Sequence, residues 1–201
     1  MKIITDLAAL ETLYGTPAEV SMTKVASRLT PSYRQWIERS RFCVLTTVGP
    51  EGTDGSPRGD DGPVVRVAGP AELHLPDWRG NNRIDSLRNI LRDGRVSLLF
   101  LIAGSTIAMR VNGRAVLSDD PALLSSFERE GKHPRSVIVI TIAEVYSQCA
   151  RALIRAGLWT GGDQSQGLPT VGQMMKDVTN GNFDAEGYDA DWPVRAAKTM
   201  W

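Results

Sequence analysis

The sequence predicts a mainly β protein with flanking helices, in which the strands form a small antiparallel barrel. Runs of β-branched and aromatic residues recur at short spacing and are separated by turn signals. Short helical stretches interrupt these runs irregularly instead of alternating with them one for one. In addition, no G-x-G-x-x-G motif follows a strand, so a doubly wound parallel sheet is not expected.

Residues 1–40 are predicted to form an N-terminal helical segment that packs on the barrel. Ile3 to Tyr14 is amphipathic, and Pro17 to Leu29 again places apolar residues at helical spacing. Thr30 is a suitable N-cap. Because a proline follows it at the first helical position, a helix is predicted over Pro31 to Ser40.

Residues 41–160 are predicted to form the barrel, whose strands are recognised by β-branched or continuous apolar runs. These strands are Phe42 to Val48, Pro63 to Val67, Glu72 to Leu75, Arg95 to Ala103, Thr106 to Leu117 and Ser136 to Tyr146. Short helices are predicted over Ile84 to Leu91 and after an N-cap at Asp120. The polar run from Ser56 to Gly62 is predicted to be an exposed loop.

Residues 161–201 are predicted to form a C-terminal extended arm, because the segment is rich in glycine and polar residues. Two alternatives stay open for this arm, namely disorder and wrapping over a partner subunit. Isolated aromatic residues favour docking. They are Phe183, Tyr188, Trp192 and Trp201.

Composition excludes several classes of function. Lys+Arg and Asp+Glu number 23 each, so the net charge is zero and no global field attracts nucleic acid or an anionic membrane. Two cysteines cannot build a disulfide framework, which favours a reducing cytoplasm. His74 and His133 lie far apart without ligand-spaced partners, so no metal site is expected. No apolar run reaches the ~20 residues of a membrane span, and no signal-peptide pattern is present.

The most distinctive stretch runs from Leu75 to Arg83, where a strand ends and a helix begins. Asn81, Asn82 and Arg83 lie at that junction. Backbone N–H groups at a helix N-terminus, the positive end of the helix dipole and a guanidinium group together favour an anion such as phosphate. The alternative is that Asn81 or Asn82 only caps the helix and that Arg83 is a solvated charge.

Other arginines indicate the same chemistry. Arg58 lies in the SPRG stretch, and Arg110 lies among apolar residues of a strand, where a charge needs a partner. Arg88 and Arg92 are four residues apart on a short helix. A solvated helix face is the preferred interpretation for Arg92, and Arg88 is kept as a candidate. Since Cys43 is expected to be inert and no Ser-His-acid constellation is evident, a bound cofactor is expected to perform the chemistry.

Six motifs follow one another along the chain. They are VLTT at 44–47, SPRGD at 56–60, LPDWRGNNRIDSLRNIL at 75–91, RVSLLFLIAG at 95–104, RVNGRA at 110–115 and CARALIRAGLW at 149–159. This ordered set resembles the pyridoxamine 5′-phosphate oxidase-like family of FMN-binding split-barrel flavoproteins, in particular its branch with SPRGD and GNNR motifs. The resemblance covers roughly positions 20 to 160, and the set is more specific than any one motif.

The resemblance implies a homodimer of six-stranded antiparallel split β-barrels, with two FMN molecules at the subunit interface. It implies that the asparagines at 81 and 82 and Arg83 hold the phosphate, and that Arg58 faces the ribityl phosphate or the ring. Arg110 would approach the cofactor. Trp159 would lie near the flavin, or would alternatively be a plain core residue. The candidate cofactor-binding residues are Arg58, Asn81, Asn82, Arg83, Arg88, Arg110 and Trp159.

Three departures from the family pattern limit what is carried over. Ala103 stands where the family has the proline of an LIPG turn, and the segment from Gln148 to Leu153 lacks the family's histidine. The substrate-phosphate segment near the C-terminus of the vitamin-synthesising enzymes is not recognisable. Oxidation of pyridoxamine phosphate is therefore not assigned, because the chemistry can differ while FMN binding is kept.

The first functional hypothesis is an FMN-dependent oxidoreductase, in which flavin N5 accepts a hydride from a small-molecule substrate or electron donor. The alternative is a non-catalytic protein that binds, stores or senses a flavin or haem. A third hypothesis is a structural dimer with an empty site. No nucleic-acid or membrane partner is expected.

Overall fold

A single antiparallel sheet organises the computed structural model, which describes residues 1–200. Within these residues the sheet has seven strands. They are β1 (Phe42–Gly49), β2 (Gly52–Gly59), β3 (Arg66–Gly69), β4 (Glu72–Asp77), β5 (Arg95–Leu101), β6 (Ala108–Ser118) and β7 (Ser136–Gln148). Their order across the sheet is β2-β1-β5-β6-β7-β4-β3. The mainly β antiparallel fold class is confirmed, with seven strands in place of the six expected, and the end strands β2 and β3 do not pair to close a barrel within residues 1–200.

The additional strand is β2, and it contains the SPRG motif. The prediction of an exposed loop from Ser56 to Gly62 was therefore wrong for residues 56–59. Every residue of β2 pairs with β1, and Arg58 lies opposite Cys43. The side chains of β2 are polar because it is an edge strand, stabilised by backbone pairing on one side. Pro57 is compatible with such a position, since an edge strand leaves alternate N–H groups without a ladder partner.

The core lies on one face of the sheet and follows the alternation of side chains along each strand. On β5, Val96, Leu98 and Phe100 are buried while the residues between them are partly exposed. Two residues from helices also belong to this core: Ile37, before β1 in the sequence, and Ile90, between β4 and β5. This alternation is the pattern expected of a sheet with one covered face.

The helices fall into an N-terminal group, three short helices within the barrel region and a C-terminal pair. Within residues 1–200 they are α1 (Leu7–Tyr14), α2 (Glu19–Thr23), α3 (Pro31–Arg39), α4 (Asp85–Arg92), α5 (Pro121–Ser125), α6 (Arg151–Ala156), α7 (Val171–Val178) and α8 (Ala185–Thr199). As predicted, the side chains of Thr30 and Asp120 cap α3 and α5. In this part of the chain, no helix combines the length and the apolar character needed to cross a bilayer.

The first two helices are shorter than the helical stretches that were predicted from the spacing of apolar residues in 3–29. Neither α1 nor α2 has a buried residue. Helices this short are marginal in water without tertiary packing, so the apolar pattern is not extended into longer helices. The N-terminal segment packs on the sheet through α3 and through Ala26, which bridges Val145 of β7.

The C-terminal segment differs from the extended arm that its composition predicted, because it contains α7 and α8. Local signals for both helices are present. Thr170 and Gln173 form a reciprocal capping box at the start of α7, and the Asp184 side chain caps α8. These caps bond backbone N–H groups in the first turns of α7 and α8. A prediction from composition alone does not consider such local caps.

We expect the two cysteines to differ in reactivity. Burial raises the pKa of the Cys43 thiol to about 12, and nearby Arg58 offsets this only in part. Cys149 is exposed. A thiol reagent at mildly alkaline pH should therefore modify one cysteine in the folded chain and both in the unfolded chain. Rapid modification of Cys43 in native Cys149→Ser protein would contradict its place in the core.

Candidate functional site: an arginine-lined cavity

A cavity of about 840 Å³ opens between β2, at one end of the sheet order, and β4, near the other end. The loop of residues 78–84, the first turn of α4 and the beginning of β7 complete its wall. Three predicted candidates from that loop, Asn81, Asn82 and Arg83, line the cavity together with Arg58 of β2. The structure thus brings four of the seven candidate residues to one place.

An ion pair crosses the cavity wall between the two strands. Arg58 donates from Nη1 to Oδ1 of Asp77, at the end of β4. Both side chains are mostly buried. The Nε atom of Arg58 is also buried, and no group among residues 1–200 accepts a hydrogen bond from it. A buried donor without an acceptor is uncommon and costs free energy, so Arg58 retains hydrogen-bonding capacity at this site.

Asp60 forms a second connection across the same wall. Its carboxylate accepts a hydrogen bond of 3.3 Å from the Trp78 indole and lies 2.9 Å from the Arg129 guanidinium. Asp60 follows β2, whereas Trp78 follows β4. The two ends of the sheet are therefore joined by side chains, because β2 and β4 are not neighbours in the strand order.

The loop that leads into α4 has an unusual backbone. Asn82 and Ile84 have φ values of 61° and 52°, in the left-handed region that a β-branched residue such as isoleucine rarely adopts. Asn81 accepts a hydrogen bond from the backbone N–H of Arg83 at 3.1 Å. Ile84 is the N-cap of α4. The alternative that Asn81 or Asn82 caps the helix was therefore wrong. Among residues 1–200 no side chain caps this helix start, which leaves its backbone N–H donors available to an anion.

Equal numbers of acidic residues and arginines line the cavity, but one of the acids is paired with an arginine outside the lining. Asp60 is bound to Arg129, which is not among the lining residues. With Asp60 paired to Arg129, three lining acids remain for four lining arginines, so the lining carries one excess positive charge. The acids are Asp54, Asp60, Asp77 and Asp85, and the arginines are Arg58, Arg79, Arg83 and Arg135.

Arg79 and Arg135 have no acidic partner among residues 1–200. Arg135 donates to the side-chain oxygen of Asn82 at 2.7 Å, and its backbone N–H bonds to the carbonyl of Asp77. Arg79 is exposed at the cavity rim. The sequence prediction missed Arg135, because it lies outside every motif and reaches the site only through the pairing of β7 with β4. Its position immediately before a strand was the only available signal.

Three candidate residues do not line the cavity of this chain. Arg88 lies on the exposed side of α4, 3.9 Å from Asp85. Arg110 lies on β6 and donates to the Tyr146 hydroxyl at 3.2 Å. Trp159 donates from its indole to the carbonyl of Ser105 at 2.7 Å. Their roles in cofactor binding stay predictions.

A comparison with protein families identifies the fold. The family model described as pyridoxamine 5′-phosphate oxidase matches residues 29–149, which is more than half of the chain. The chain belongs to this family. The matched region includes every lining residue of the cavity except Met200. No significant match to a curated protein is found.

Several solved structures have a similar fold. A Lactobacillus delbrueckii protein named for pyridoxamine 5′-phosphate oxidase has 21% identity and a TM-score of 0.48, covering 60% of this chain and 95% of that chain. An FMN-binding protein from Syntrophomonas wolfei has 12% identity and a TM-score of 0.45, covering 71% and 96%. A FAD-binding protein from Mesorhizobium loti has 18% identity and a TM-score of 0.40, covering 61% and 94%.

We expect Asp77→Asn to destabilise this member of the pyridoxamine 5′-phosphate oxidase family. The substitution leaves the mostly buried Arg58 without its ionic partner, which should lower the free energy of unfolding by about 1–3 kcal/mol. Glu38→Gln is the matched control, because it breaks an exposed ion pair with Arg34 and should cost less than ~1 kcal/mol. Equal losses in chemical denaturation would show that the Arg58–Asp77 pair has no special structural role.

Proposed function

We propose that the chain binds FMN in the arginine-lined cavity and acts as an oxidoreductase on a small molecule. The observation that carries the proposal is the positive charge of Arg79 and Arg135 beside the uncapped start of α4, inside one cavity. Membership of the pyridoxamine 5′-phosphate oxidase family supports it.

The residues of the cavity fit the phosphate of FMN. A phosphate ester presents several charged oxygens, and guanidinium groups and backbone N–H groups are its preferred donors. Arg83 is 80% exposed, and its Nε is directed to Asp85, so the rest of its guanidinium stays accessible. The asparagines at 81 and 82 add amide donors. An anion beside Arg58 would also provide an acceptor for that residue's buried Nε.

The size and the inner wall of the cavity fit the remainder of the cofactor. A volume of about 840 Å³ lies within the range of roughly 300–1,000 Å³ that is usual for drug-sized ligands. Val64, Leu75 and Leu87 contribute apolar side chains to the wall. When bound, FMN supplies an N5 atom that accepts a hydride. The chain itself would bind the cofactor, orient it and keep water from part of its surface.

The proposed assembly is a homodimer with FMN at the subunit interface. Arg110 and Trp159 are candidates from the sequence but lie outside this chain's own cavity. A second subunit that presents these residues to the cavity would reconcile both observations. The two cysteines form no disulfide in the structure, which is compatible with the proposed cytoplasmic location.

A visible absorption spectrum, followed by acid release of the chromophore, tests the proposed cofactor. We expect a yellow protein that releases stoichiometric FMN. A protein that remains colourless after incubation with FMN would overturn the proposal. Reduced nicotinamide or deazaflavin donors then test the activity. Rapid bleaching of bound FMN supports an oxidoreductase, whereas only sluggish reduction favours the non-catalytic alternative.

Arg135→Ala should weaken FMN binding. Loss of a hydrogen bond to a charged group costs about 1.5–3 kcal/mol, which raises Kd by a factor of roughly 10 to 100. Arg92→Ala is the matched control, since Arg92 lies on α4 but pairs with Glu51 at 3.0 Å outside the cavity. Titration of the apoprotein with FMN, followed by fluorescence, measures both. The same Kd for wild type and Arg135→Ala would remove Arg135 from the site.

A further inference from the structure

One lining residue of the cavity lies outside the part of the chain that matches the family. Met200 follows α8 and lines the cavity together with Arg58, Asn82 and Arg135. The family match ends at residue 149. The C-terminal segment therefore reaches the cavity through Met200. We define the C-terminal hairpin as α7, α8 and Met200.

The two helices of the C-terminal hairpin are locked to each other. Asp189 of α8 accepts hydrogen bonds from the hydroxyl of Thr170 and from the backbone N–H of Gly172, the latter at 2.9 Å. A side chain at Gly172 would collide with the carbonyl oxygen of Ala185. The helices thus approach as closely as glycine allows, and the hairpin behaves as one unit.

The second half of α8 is also stiffened by its own side chains. The guanidinium of Arg195 lies 4.4 Å from the ring centre of Tyr188 and 5.5 Å from that of Trp192. Such contacts between a cation and an aromatic face stabilise a helix surface. The helix continues through Pro193 to Thr199, and Met200 follows it directly.

The connection between the hairpin and the rest of the chain has the opposite character. All of residues 160–170 are exposed, and they contain no helix or strand. Gly157, Gly162 and Gly167 have positive φ values, a conformation that glycine adopts without strain. An exposed connection rich in glycine allows the hairpin to move as a unit relative to the sheet.

We propose that the C-terminal hairpin is a cap that retains the flavin, with Met200 as the residue that contacts it. This inference rests on the proposed function. Met200 is 60% exposed at the cavity wall, so a bound ligand would cover apolar surface that is now in contact with water. A thioether also makes favourable contacts with aromatic rings, of which the flavin ring system is one. Because an exposed connection allows the hairpin to move, we expect its main effect on the rate at which the flavin leaves.

The test compares FMN release from the full-length protein and from two methionine variants. Met200→Ala should release FMN about tenfold faster, since the lost apolar contact acts on dissociation more than on association. Met174→Ala is the matched control, because Met174 is an exposed methionine on α7 that does not line the cavity. Release is followed by the recovery of flavin fluorescence after dilution.

The outcomes separate this inference from the proposed function. If wild-type protein binds no FMN, the proposed function fails, and with it the role of the cap in retaining flavin. If wild-type protein binds FMN and Met200→Ala releases it at the wild-type rate, the cap is overturned while the proposed function stands. Faster release from Met200→Ala alone supports the cap.

Cross-linking without ligand tests the position of the cap directly. In a Cys149→Ser background, Met200→Cys combined with Asn81→Cys should be joined by a flexible bis-maleimide, because both positions line the cavity. Met174→Cys combined with Asn81→Cys should not be joined within one chain. Failure to cross-link the first pair would overturn the cap, whether or not FMN binds.

Discussion

A charged interaction between two strands that do not pair is the constraint on which the rest of this structure depends. Arg58 on β2 and Asp77 on β4 bring together parts of the sheet that have no backbone hydrogen bonds to each other. Asp60 and Trp78 reinforce the connection. Where backbone pairing stops, N–H groups and arginine side chains are free to bind something other than the chain itself. The cavity lies at this position for that reason.

The loop before α4, which lines the cavity, contains two backbone conformations that cost free energy. Asn82 and Ile84 adopt left-handed backbone conformations, and Ile84 gives the helix no capping side chain. Each of these features is unfavourable alone. They persist because α4 is anchored to the core through Ile90, and such over-determined strain is typical of functional sites.

Much of the fold could be predicted from the sequence because it is encoded locally. The β-branched runs of β5 and β7 and the capping residues Thr30 and Asp120 specify their elements within a few residues. β2 could not be found this way, since its polar side chains hide a strand that exists through pairing with β1. Arg135 escaped for a related reason, because strand register, and not any motif, brings it to Asn82. The candidate site was therefore predictable only in part. The loop before α4 carries a recognisable motif, whereas Arg135, which reaches the site from the start of β7, does not.

β2 has a further consequence for how copies of the protein meet. Among residues 1–200 its outer edge borders no other strand, and such an edge is a template for growth of the sheet into a second molecule. Pro57 lacks an N–H group, and Asp54 and Arg58 place opposite charges along the same strand. An approaching strand would meet an interrupted row of donors and side chains of both charges. The segment that frames the cavity therefore also protects the protein from edge-to-edge aggregation.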